Sequence, residues 1–133
     1  MHKYIYFVVI FLLYQTSTFS KVSVVNKFDQ KNLSNYFSAV LSINNNDAKN
    51  SLKFLENSKI LNDRHEEHFK NYIKSLVANE KIDLAIKKIK YSQNNYSFLE
   101  QEVILLVDNL INKNLEKGSL NLEKIESLID PDD

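Results

Sequence analysis

From Asn32 to Ile129 the apolar side chains return every three or four positions, and the whole pattern returns after 34. Leu33, Tyr36, Phe37, Val40, Leu41 and Ile43 form one helix face; Asn44-Asn45-Asn46 interrupts it, and Asp47 is placed to cap a second helix carrying Leu52, Leu55 and Ile60. After Asn62-Asp63, a third face contains Phe69, Tyr72, Ile73, Leu76 and Val77, and a fourth contains Leu84, Ala85, Ile86 and Ile89. Beyond Asn94-Asn95, a fifth contains Val103, Leu106, Val107, Leu110 and Ile111, and a sixth Leu120, Leu122, Ile125, Leu128 and Ile129. Six helices with brief connections predict an all-α antiparallel array. The chain has one glycine, Gly118, and one proline, Pro131. Sheet hairpins need many more residues with positive or fixed φ, so the composition points the same way.

The interval is visible at individual positions. Ser51 and Ala85, Leu52 and Ile86, and Leu55 and Ile89 are each 34 apart, and so are Phe69 and Val103, Tyr72 and Leu106, and Leu76 and Leu110. A helix-turn-helix pattern stepping twice by ~34 resembles the tetratricopeptide repeat family. The resemblance covers 32–133 as three repeats, 32–65, 66–99 and 100–133. It implies an α-solenoid: a right-handed stack of three hairpins with a continuous core of Tyr36, Leu55, Phe69, Tyr72, Leu76, Ala85, Ile89, Val103, Leu106 and Leu110. It also implies a concave groove for a peptide or protein, lined by Tyr36, Val40, Asn44, Lys70, Lys74, Ile104, Asp108 and Asn112. Lys70 and Lys74 could meet a partner's carboxylate there, while Asp108 would oppose one.

The outer repeats depart from the pattern. The first fits better shifted by one, with Tyr36, Ala39, Val40 and Ile43 inward. In the last, Gly118, Leu122 and Ile125 suit the crossing and core places better than Ser119, Glu123 and Glu126. Terminal repeats need a polar cap. The last helix therefore caps itself, the molecule self-associates, or the chain is a fragment of a longer array.

The N-terminus reads as an address. Met1-His2-Lys3 is positive, and the apolar run 4–14 has the length of a signal h-region, short of the ~20 residues that span a bilayer. Thr18 and Ser20 are small residues suited to cleavage between Ser20 and Lys21, giving a signal peptide 1–20 and a leader 21–31. The product would be periplasmic or secreted. Retained, residues 4–20 would anchor the repeats to a membrane as an envelope-assembly subunit.

Seventeen basic and 17 acidic side chains leave no net charge, which argues against general nucleic-acid binding. The absence of cysteine excludes disulfides, thiolate catalysis and cysteine zinc sites. Arg64-His65-Glu66-Glu67-His68 places two histidines three apart, but Phe69 stands where a His-Glu-x-x-His zinc site needs its second histidine. The cluster reads as a solvated helix start whose glutamates offset the macrodipole. No phosphate loop or nucleophile elbow is present, so neither cofactor, metal nor catalytic residue is expected. Asn32-Leu33-Ser34 and Asn95-Tyr96-Ser97 match the glycosylation pattern, which matters only in a eukaryotic secretory pathway. The expected function is to hold another protein.

Overall fold

In the computed structural model, residues 29–93 and 95–130 are described. The signal segment 1–20, the junction between Ser20 and Lys21, residues 21–28 of the leader, and Pro131 lie outside them.

Six α-helices form, with no strand among the described residues: α1 (Gln30–Asn44), α2 (Ala48–Asn57), α3 (Glu66–Ala78), α4 (Ile82–Lys90), α5 (Leu99–Ile111) and α6 (Leu115–Ile129). A 3-10 turn, Lys59–Leu61, follows α2. The short polar residues between the apolar stretches start the helices. Asp47 accepts from the Asn50 backbone N–H at 3.1 Å, as its position in the sequence suggested, and Asp29 and Asn114 cap α1 and α6. His65 caps α3, its Nδ1 accepting from the His68 N–H at 3.1 Å.

Each pair of helices is closed by the same turn. An asparagine ends the first helix (Asn45, Asn79, Asn112), and the next residue adopts a left-handed φ: 56° at Asn46, 60° at Glu80 and 56° at Lys113. The following N–H reaches back five residues, Asp47 to Ser42, Lys81 to Leu76 and Asn114 to Asn109, and so satisfies a helix-end carbonyl. Matched through these turns, the three hairpins step by 34 and then by 33. The missing residue falls in the middle hairpin, where α4 has nine residues against ten in α2.

The three hairpins are α1–α2, α3–α4 and α5–α6. Each helix packs on the next in the chain, and the first helices of neighbouring hairpins also meet, α1 on α3 and α3 on α5. Small residues sit four places after each second-helix cap, at Ser51, Ala85 and Gly118, all buried. The core gathers Ala39, Leu52, Leu55, Phe69, Tyr72, Ile73, Leu76, Ala85, Ile89 and Phe98, with Tyr36 and Ile43 packed against it. The one-residue shift suggested for the first repeat therefore fits Tyr36, Ala39 and Ile43. Hydrogen bonds join the first two hairpins across α2 and α3: Ser51 Oγ to Ser75 Oγ at 3.0 Å, and the Asn79 amide to the Ala48 carbonyl at 2.7 Å.

The third hairpin corrects the core expected from the sequence. Val103 and Leu110 are 43% and 51% exposed and are not core residues, because the 33-residue step rotates α5 by one position. Glu102 takes the place equivalent to Phe69, and Asn109 that of Leu76. Leu106 is half-buried and Ile125 is buried, but Leu122 lies open to solvent. Across equivalent second-helix positions, exposure rises from 0% at Leu55 through 7% at Ile89 to 48% at Leu122.

Candidate docking groove

α5 is the most apolar helix to read, with eight Leu, Ile or Val among its thirteen residues, yet the residue it buries fully is Glu102. The Glu102 carboxylate is held by the Asn121 amide at 2.7 Å, and the Asn121 oxygen accepts from Asn109 at 2.8 Å. Lys124 is 3.9 Å from Glu102, and the Ser97 and Gln101 side chains approach at 3.4 and 3.3 Å. With this polar edge fixed toward α6, the opposite stripe of Val103, Val107 and Ile111 is turned outward.

That stripe forms one wall of a concavity of about 440 Å³. Val77 at the end of α3 and Ile82 and Ile86 at the start of α4 complete it, with Ile104, Asp108 and Asn112 beside them. Of the groove expected from the sequence, the fold brings together Ile104, Asp108 and Asn112. With the 33-residue step, the positions equivalent to Lys70 and Lys74 are Val103 and Val107, so this part of the groove is apolar where it was expected to be polar. Asp108 is tied to Lys90 and accepts from the Asn112 amide at 3.0 Å.

Lys70 and Lys74 do meet a carboxylate, but it is the chain's own. Glu100 at the start of α5 lies 2.6 Å from Lys74 Nζ and 4.0 Å from Lys70 Nζ. Burial alone would raise the Glu100 pKa; the hydrogen bond from Lys74 and the two lysine charges outweigh it and leave the group below the ordinary carboxylate value. Both lysines therefore already face a carboxylate of the chain itself, which balances one of their two charges. Tyr36 is covered by the rings of His65 and His68, each with its centroid 5.2 Å away. Val40 is half-buried and Asn44 exposed, and none of the three lines this concavity.

The histidine cluster also differs from its reading in the sequence. His68 is fully buried rather than solvated. Its Nε2 lies 2.8 Å from Ser58 Oγ, and its Nδ1 lies 2.8 Å from Asn62 Oδ1. The Asn62 oxygen can only accept, so Nδ1 carries the proton and Nε2 accepts from the serine hydroxyl. Serine, imidazole and asparagine in this order have the distances of a nucleophilic triad. Ser58 and His68 are both at 0% exposure, however, so no substrate carbonyl can approach the serine oxygen in this conformation. Desolvation, with the charge of His65 as a lesser cause, lowers the His68 pKa to about 4, far from the range of an effective base. The trio is a polar fastening between the end of α2 and the start of α3. The sequence held a signal for it in Ser58, Asn62 and His68 spaced across one turn, although single polar residues at such spacing are common.

No group of three metal-binding side chains occurs among the described residues, and no described helix is long and apolar enough to cross a membrane. In comparisons with known proteins, the chain matches no family model, no curated protein and no solved structure.

Proposed function

We propose that the chain is an exported, non-enzymatic interaction module, a tetratricopeptide-like solenoid of three hairpins that holds an apolar-sided segment of another protein. One observation carries this reading: α5 buries Glu102 while leaving Val103, Val107, Leu110 and Ile111 to solvent, at exposures of 43% to 75%. Surface patches that are apolar, concave and contiguous mark sites that another molecule covers. The recurrence of one turn at Asn46, Glu80 and Lys113 supports the repeat scaffold, since each hairpin leaves a face that its neighbour covers. Export rests on the positive start and the apolar run 4–14.

The test is capture of a partner from the exported fraction by the full chain and by Val103→Glu and Val107→Glu variants. Both sites are exposed, so stability should change by no more than about 0.5 kcal/mol, while a partner held by the wild type is lost. Retention of that partner by both variants would overturn the groove.

A second reading, a membrane-anchored assembly subunit, is favoured by the apolar run itself. N-terminal sequencing of the exported product separates the two: a start at Lys21 supports export, and an intact Met1 supports the anchor.

A further inference from the structure

A second concavity, about 720 Å³, shares no lining residue with the docking groove. It opens where the connection between the first two hairpins meets the end of α4. Its lining holds three lysines, Lys59, Lys87 and Lys88, against a single carboxylate, Asp63. All three lysines are exposed, and none forms an ion pair among the described residues. In a chain with no net charge this is a local positive excess. Among the six helices, α4 is the only one with basic residues in its last turn, so lysines here are not the chain's routine answer to the helix dipole. Apolar surface accompanies the charge. Ile60 and Tyr91 are 57% and 79% exposed on the lining, and Phe69 and Tyr72 lie beneath them.

We propose that this lysine-rimmed seam binds an acidic peptide segment carrying a bulky apolar residue. Carboxylates would pair with Lys59, Lys87 and Lys88, and the apolar side chain would pack beside Ile60 and Tyr91. Lysines act as mobile point charges without the fixed fork of arginine, so the seam selects acidic density rather than one spacing of carboxylates. The concave shape favours a peptide over a bilayer, whose flat surface cannot enter it. Because the lysines are exposed, binding is fast and weakens with salt.

The experiment uses fluorescence anisotropy of a fluorescein-labelled, glutamate-rich peptide containing phenylalanine, titrated with the full chain at low salt. Saturable binding that weakens as salt rises is expected. The K59E/K87E/K88E variant should lose at least about tenfold in affinity. Tyr91→Ala should lose several-fold, and a K113E/K117E control should lose little. Far-UV circular dichroism checks each variant's helicity, and single reversals at Lys59, Lys87 and Lys88 separate binding from any loss of fold. The proposal fails if the peptide does not saturate, if the triple variant binds as tightly, or if a lysine-for-glutamate version of the peptide binds equally. It also fails if anionic phospholipid vesicles displace the peptide through the same lysines, which would make the seam a membrane contact.

Discussion

The Asn121 side-chain amide donates a 2.7 Å hydrogen bond to the Glu102 carboxylate, fastening α6 to α5 at the position where α3 carries Phe69. A buried carboxylate in a core position is tolerable only when its oxygens are engaged. Asn121→Ala removes the nearest donor and should cost about 2 kcal/mol in urea unfolding. Glu102→Gln keeps an oxygen facing Asn121 and should cost about 1 kcal/mol. Equal, negligible costs for both would mean that the contact contributes little to stability.

His68 makes the fold sensitive to acid. Its pKa is lowered from 6.5 to about 4, so the unfolded chain binds a proton that the folded chain refuses between those values. Stability is therefore complete above about pH 6.5 and declines as pH falls toward 4, by about 2 kcal/mol at pH 5 from this group. Urea titrations at pH 7 and pH 5 should show the loss, and His68→Gln, already weaker at pH 7, should lose correspondingly less between them.

Two equivalent small residues should respond to enlargement with opposite signs. Ala85 is completely buried in the core, so Ala85→Leu should overpack it and cost about 1–3 kcal/mol. A Cβ at Gly118 would meet Leu106 and Leu110 side chains at 3.7 and 3.8 Å, ordinary contact distances, and the glycine has no positive φ. Gly118→Ala should therefore raise stability by about 0.5–1 kcal/mol through helix propensity. Thermal melts of the two variants check both signs.

The turns store a little backbone strain. Glu80 and Lys113 hold φ of 60° and 56°, a region that side chains other than Asn and Asp disfavour. Glu80→Gly and Lys113→Gly should each stabilise by about 1 kcal/mol, and Asn46→Gly by less, since asparagine tolerates this conformation. An unchanged or lower melting temperature for Glu80→Gly would count against the strain.

The six helices were legible because polar clusters of Asn, Asp and Lys separate stretches with a single apolar face, as at Phe69, Tyr72 and Leu76. The inward face of α5 was not. Val103, Ile104, Leu105, Leu106, Val107, Leu110 and Ile111 make it apolar around most of its circumference, so periodicity alone cannot choose between 33 and 34. The turn asparagines could have chosen, since Asn79 and Asn112 are 33 apart, and Gly118 already pointed to that slip. The docking groove was misplaced by one residue for the same reason. The capture of Lys70 and Lys74 by Glu100 depends on how the second and third hairpins meet, which no local pattern encodes. His68 was read as solvated because its partners Ser58 and Asn62 lie in the preceding connection rather than on its own helix.

The climb in solvent access from Leu55 to Ile89 to Leu122 sets an order of opening. The first hairpin leans on a neighbour through buried serine, asparagine and histidine links, whereas the last leans mainly on itself. Local opening begins where the fewest apolar contacts resist it. Amide protons of α6 should exchange with deuterium soonest and those around Leu55 and Ile73 last, so one end of the molecule breathes while the other stays shut.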